Sequence, residues 1–197
     1  MTARKAVTMK LFVRAMTLAA ALLLLSGCAR ELIVSEVLQI PEHAVIRTAY
    51  NLWYEDPMKM DTINTQKGRI LPFGTPVEIT KATDAEILFR TADGQKFRIE
   101  FEPHYRLQSP EEYMRDLFTI HTESELKAGF DTLTYEKIRR GVVEKGMSKA
   151  AVIRAYGPPC AFRTASQSSA TWLYPAAYLE YKRIIFKNGK ILDIILP

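Results

Sequence analysis

Two cysteines and three histidines are the residues of this 197-residue chain that could support nucleophilic thiol chemistry. Cys160 would need a base within hydrogen-bond reach to act as a nucleophile, yet His43, His104 and His121 lie upstream in no recognisable pairing motif. The segment before Cys160 reads as a helix that ends at Gly157, and the dipole at a helix C-terminus disfavours a thiolate. We therefore expect an inert or partly buried thiol, and keep a thiol-dependent enzyme as an alternative.

The first 27 residues have the pattern of a signal peptide. A stretch with four basic residues precedes the apolar run 15–25, which is shorter than the roughly 20 residues that a membrane span requires. The run ends in Leu25, Ser26, Gly27 and Cys28. This tetrad resembles the bacterial lipobox, in which the cysteine receives a diacylglycerol and the chain is cut before it.

The lipobox resemblance implies a lipid anchor at Cys28. Diacylglycerol together with an amide-linked acyl chain such as palmitate gives stable membrane binding, whereas one chain gives only marginal binding. Because Ala29 follows the cysteine, and not the aspartate common in proteins retained at the inner membrane, the resemblance implies the periplasmic face of the outer membrane. Cys160 would then be the single remaining thiol, with no disulfide partner. An ordinary secretory signal that contains a cysteine is the alternative.

The charge of the chain does not indicate a polyanion partner. The formal net charge is +5 and the isoelectric point about 9.2, but four basic residues lie before Cys28 where no acidic residue occurs. Removing these four from +5 leaves +1 for the remainder of the chain. A nearly neutral mature protein excludes nucleic acid as an expected partner.

Residues 28–43 are expected to form a tether, and residues 44–105 a small β domain. Apolar residues alternate in the segment that begins at Ala44, and Asp93-Gly94 is a hairpin signal between two further strands. The stretch 68–80, GRILPFGTPVEIT, resembles a strand of bacterial Src-homology-3-like domains. Together these features predict a small antiparallel barrel.

Three aromatic residues in the first strand, Tyr50, Trp53 and Tyr54, allow two interpretations. They could form an exposed platform for peptidoglycan, a proline-rich peptide or another small ligand. They could equally fill the core of a small barrel, which is the interpretation we favour.

Residues 106–130 are expected to form a helical connector. Ser109 and Glu112 match a capping box with Pro110 at the first helical position, and an apolar stripe that reaches Phe118 predicts a short helix. The polar stretch 121–129 reads as a loop.

Residues 131–197 predict two helices followed by three strands. The first helix is expected to place Leu133 and Ile138 inward. The second begins at the N-cap Ser148 and ends at a glycine followed by two prolines. Asn188-Gly189 predicts a tight hairpin between the last two strands. The predicted fold class is therefore α+β: a β-barrel-like domain followed by a two-layer helix-helix-three-stranded-sheet domain.

Several motifs of this last segment are similar to those of the SmpA/OmlA (BamE-like) family of outer-membrane lipoproteins. The family shares a Gly-Met-Ser/Thr helix start that ends in Gly-x-Pro, a Trp-x-Tyr strand and a Phe-x-Asn/Asp-Gly-Lys hairpin. The matching residues are Gly146, Met147, Val152, Gly157, Pro159, Trp172, Tyr174, Phe186 and Gly189. The resemblance implies the family's fold in residues 131–197, and the long β segment before them is an addition to the family pattern.

We interpret the chain as a non-catalytic binding or scaffold lipoprotein in outer-membrane protein assembly, with a protein partner in the outer membrane or periplasm. The alternative is a cell-wall or small-ligand binding lipoprotein that uses the β domain. No cofactor is expected. No metal site is expected either, since the nearest acidic clusters are explained by helix capping and by a solvated loop.

Overall fold

The computed structural model describes residues 29–41, 43–101, 108–177 and 179–197. Residues Glu31–Pro197 form one compact unit of mixed α+β structure. The helices of the described residues are α1 (Val34–Leu38), α2 (Pro110–Leu117), α3 (Glu123–Lys127), α4 (Thr132–Arg139) and α5 (Lys149–Tyr156). The strands are β1 (Arg47–Thr48), β2 (Leu52–Tyr54), β3 (Met60–Asp61), β4 (Arg69–Leu71), β5 (Val77–Ala82), β6 (Glu86–Thr91), β7 (Lys96–Glu100), β8 (Phe118–Thr119), β9 (Thr171–Ala177), β10 (Glu180–Lys187) and β11 (Lys190–Ile195).

The β segment does not form the predicted antiparallel barrel. Its strands make open sheets in the orders β3-β7-β6-β5, β2-β4 and β1-β8, and the described strands close no barrel. β3 pairs with β7 in the parallel sense. Most of the strands outside the β5-β6-β7 meander have only two or three residues. Strands this short, with Pro72 and Gly74 between β4 and β5, do not extend far enough for the sheet to close on itself.

The connector, residues 106–130, contains the predicted helix cap, but its later part differs from the prediction. The Ser109 side chain accepts a hydrogen bond from the Glu112 backbone, and the Glu112 carboxylate accepts one from the Ser109 backbone, which confirms the capping box. Helix α2 stops at Leu117, and Phe118 belongs to β8, which pairs with β1. The stretch predicted as a loop contains α3, because Thr122 opens a second capping box there.

The C-terminal segment has the predicted order of two helices and three strands. β9, β10 and β11 form an antiparallel sheet in the order β11-β10-β9. The Ser148 side chain caps α5 by accepting from the Ala151 backbone at 3.2 Å, and Asn188 at φ 53° makes the hairpin turn. Ile138 is fully buried, but the prediction for Leu133 was wrong, since that residue is 62% exposed.

Two apolar clusters form the core, and polar contacts join them. The first cluster collects residues from the β segment and α2, and the second collects α4, α5 and the C-terminal sheet. Phe73 comes from the β segment but is fully buried in the second cluster. Buried Asn51 donates to the carbonyls of Ile138 at 2.6 Å and Ala155 at 3.2 Å, and accepts from the Phe73 backbone at 2.8 Å.

Those carbonyls belong to the last turns of α4 and α5, where backbone carbonyls lack donor partners within the helix. The Ile138 carbonyl also accepts from the Gly141 backbone at 2.8 Å. The Trp53 indole nitrogen also donates to Ala155, at 3.1 Å, and the Asn64 amide donates to Tyr156 at 2.7 Å. Gly141, at φ 69°, lets Trp53 approach: a Cβ atom there would lie 2.2 Å from the indole ring. Side chains of the β segment thus donate hydrogen bonds to carbonyls at the C-terminal ends of α4 and α5.

Candidate functional site

The family-motif residues build the packing of the C-terminal segment. Seven of the nine are buried, and the three glycines have positive φ. The buried members are Met147, Val152, Gly157, Pro159, Trp172, Tyr174 and Phe186. Their arrangement explains why these residue types occur together, but it leaves them little surface with which to contact a partner.

Lys149 at the start of α5 holds the loop before β9. Its ammonium donates to the backbone carbonyls of Gln167, Ser168 and Ser169 at 2.8, 2.9 and 2.8 Å. The same nitrogen lies 5.2 Å from the centre of the Trp172 ring, within cation–π range. The Lys149 ammonium therefore links the loop 167–169 to α5 and to the ring of Trp172 in β9.

Exposed apolar side chains of the C-terminal segment occur on the side of the sheet opposite the helices, which we call the outer face. Leu173, Arg183 and Ile195 lie directly opposite one another across the three strands, so they share that face. Ile185 lies in the adjacent row. Leu192, at the bulge in β11, is 54% exposed and Ile195 is 45% exposed.

The three candidate ligand aromatics lie in the core and at the joint between the clusters. Tyr50 is 2% exposed and Tyr54 is 8% exposed. The Tyr54 ring packs edge-on against Phe97 at 5.2 Å. Trp53 is partly exposed, and its indole donates to the end of α5 as described above. These residues offer no exposed ring platform.

Cys160 is partly buried and belongs to the loop beside β9. Its backbone nitrogen donates to the Leu173 carbonyl at 3.3 Å. Burial raises the pKa of the Cys160 thiol. A backbone hydrogen bond at Phe162, the positive charge of Arg163 and a backbone hydrogen bond at Arg163 offset only part of that rise. The thiol is therefore protonated at neutral pH, which makes it a poor nucleophile.

Cys160 lines a cleft of about 260 Å³. The cleft is bounded by residues 62–64 of the β segment, by α2 and the residue Gln108 before it, and by the loop 158–167. Tyr50 and Tyr174 also contribute to its wall. No histidine occurs among the described residues of the lining, so within that part of the chain no imidazole faces the thiol.

The predicted anchor, Cys28 with Leu25, Ser26 and Gly27, lies outside the described residues. Within the part of the chain that the structure describes, no helix is long and apolar enough to cross a membrane. The same residues contain no group of three or more His, Cys, Asp or Glu side chains that could hold a metal ion.

Comparison with known proteins returned no match: no family model, no curated protein and no solved structure is similar to the chain. Functional inference therefore depends on the residues and their geometry.

Sequence reasoning missed the polar residues that join the two clusters, above all Asn51 and Asn64. A weak signal for Asn51 exists, because an asparagine between Tyr50 and Leu52 interrupts an apolar strand. A buried polar side chain must find hydrogen-bond partners, and here the partners lie 87 and 104 residues away. No local pattern could have identified those partners.

Proposed function

We propose that the protein is a lipid-anchored lipoprotein of the outer membrane that faces the periplasm and acts as a non-catalytic binding or scaffold factor in outer-membrane protein assembly. The lipobox-like tetrad ending at Cys28 supports the anchor. The motifs shared with the SmpA/OmlA family support the role, and the order of two helices and three strands is consistent with a BamE-like arrangement of residues 131–197.

The outer face is the observation that carries the proposal. Leu173, Ile185, Leu192 and Ile195 put apolar atoms on one side of the sheet, while the opposite side is packed against the helices. Leu173 and Ile185 are half-buried, and Asp193 lies opposite Ile185 in the same row. An exposed apolar patch with polar residues around it is typical of an interaction site. Arg183 lies in the middle of this surface, and arginine is enriched at protein interfaces because it combines hydrogen bonding with a large contact area.

A binding role also agrees with the chemistry of Cys160. Its thiol has a raised pKa, and the described lining of its cleft contributes no histidine to act as a base. These features favour a non-catalytic function over a thiol-dependent enzyme.

The experiment is co-purification from the native envelope with a matched pair of variants. Leu192→Asp places a carboxylate on the outer face, whereas Leu133→Asp places one on α4 at a leucine of similar exposure, 62% against 54%. We expect Leu192→Asp to reduce recovery of an outer-membrane assembly component at least tenfold and Leu133→Asp to leave it unchanged. Equal recovery with both variants would refute the assignment of the outer face.

Deletion of residues 44–105 is not a usable test of the C-terminal segment alone. It would remove Asn51, Trp53 and Asn64, which satisfy carbonyls at the ends of α4 and α5, and would take Phe73 from the second apolar cluster. Loss of function after this deletion would report unfolding.

A further inference from the structure

The cleft beside Cys160 is lined by residues other than the five that define the outer face, and its lining combines one carboxylate with apolar side chains. Asp116 is the single charged residue among the described residues that line it. The carboxylate of Asp116 attracts a cation to its end of the cleft. The charge of Arg163, which does not belong to the described lining, acts at the Cys160 end.

Tyr50, Tyr113 and Gln108 line the cleft together with Asp116. Burial raises the pKa of Tyr50 and of Tyr113 above the ordinary value for tyrosine, and the charge of Asp116 raises both further. Both hydroxyls therefore stay neutral at physiological pH and keep an oxygen that can accept a hydrogen bond. Gln108 donates to Asp116 at 2.7 Å, which orients the carboxylate.

A second group of lining residues is apolar. Pro158, Pro159, Phe162 and Pro175 contribute to the wall together with the protonated thiol of Cys160. This surface suits a short hydrocarbon chain. The volume of about 260 Å³ lies just below the roughly 300–1,000 Å³ of pockets for drug-sized ligands, so the occupant is a small molecule.

We propose that this cleft binds a small organic amine, with the ammonium hydrogen-bonded to Asp116 and the hydrocarbon chain lying against the prolines and Phe162. The charge of the lining selects the ammonium, and the apolar wall selects the chain. This binding is independent of any partner on the outer face.

Cys160 provides the readout, because a ligand in the cleft covers its thiol. The full-length protein purified in detergent is treated at pH 7 with N-ethylmaleimide, and the modification rate is measured by mass spectrometry with and without saturating hexylamine. Hexanol and hexanoate are the matched probes with the same chain and no positive charge. Rates are normalised to those of free glutathione in the same solutions, and the Cys160→Ala variant reports any modification at Cys28.

We expect hexylamine to slow modification of Cys160 at least threefold, hexanol to have a smaller effect and hexanoate none. Asp116→Asn should abolish the protection by hexylamine. Asp116 is exposed, so this variant is expected to fold, and its melting temperature without ligand checks that it does. As a second readout, hexylamine should raise the melting temperature of the parent and of Cys160→Ala but not of Asp116→Asn.

Four results would overturn the proposal. They are protection by none of the probes, equal protection by hexanol, protection by hexanoate, and protection by hexylamine that persists in Asp116→Asn. Protection by none of the probes would show that the cleft binds none of these molecules. Each of the other three results would show that the Asp116 carboxylate does not select the ligand.

Discussion

Replacing Asn51 by alanine tests the claim that the two apolar clusters fold as one unit. The side chain is fully buried and makes three hydrogen bonds, two to the ends of α4 and α5 and one to the Phe73 backbone. Each bond contributes about 0.5–1.5 kcal/mol, and the buried Phe73 N–H would lose its acceptor at a further cost. The carbonyls of Ile138 and Ala155 keep the Gly141 N–H and the Trp53 indole as donors. We therefore expect a loss of about 2–4 kcal/mol in the free energy of unfolding.

That loss corresponds to a fall of about 4–16 °C in melting temperature for a unit of this size. Chemical unfolding followed by circular dichroism measures the free energy, and Lys96→Ala at an exposed position of β7 is the control. Asn51→Asp should destabilise more than Asn51→Ala, because a carboxylate would face two carbonyl oxygens without a donor. A loss below about 0.5 kcal/mol for Asn51→Ala, the range of ordinary surface changes, would refute the reasoning.

Three further predictions concern individual contacts. Gly141→Ala should cost about 2–4 kcal/mol in chemical unfolding, because alanine is strained at positive φ and its Cβ would collide with Trp53, whereas Gly129→Ala, with open space around it, should be nearly neutral. Lys149→Met should lower the free energy of unfolding by about 1–3 kcal/mol and speed proteolysis of the loop 167–169, since three carbonyls lose their cation; equal proteolysis in variant and parent would contradict this. Hydrogen bonds from Ser109 lower the pKa of Glu112, so its stabilising effect is present above the unfolded pKa of about 4.3 and is lost as the pH falls through the folded value. The stability difference between the parent and Glu112→Gln should therefore shrink between pH 7 and pH 3, and a constant difference would refute the assigned cause.

The C-terminal elements could be predicted because their signals are local. Ser148 caps α5, and Asn188-Gly189 turns the hairpin, whatever the rest of the chain does. The β segment was harder, because its pairings join distant residues: β1 finds its partner in the connector, and β3 lies parallel to β7. Leu133 shows a different limit, since helical periodicity alone did not reveal which side of α4 faces the sheet.

The outer face and the cleft also combine features with a local sequence signal and features that depend on distant residues. Alternation along β10 predicts which of its side chains lie on the side of the sheet away from the helices. The bulge that exposes Leu192 cannot be predicted in this way, because it depends on the register with the neighbouring strand. The cleft could not be foreseen, because Tyr50, Asp116 and Cys160 come from three separate parts of the chain. Burial of Tyr50 and Tyr54 agrees with the core interpretation of the first-strand aromatics.

Photo-crosslinking from the outer face in the native envelope tests the proposed function most directly. A photoreactive residue at Leu192 is compared with one at Leu133, which is similarly exposed on α4. We predict a discrete adduct from position 192, identified by mass spectrometry as a component of the machinery that assembles outer-membrane proteins, and no such adduct from position 133. The absence of that adduct at position 192, or the same adduct from both positions, would contradict the account.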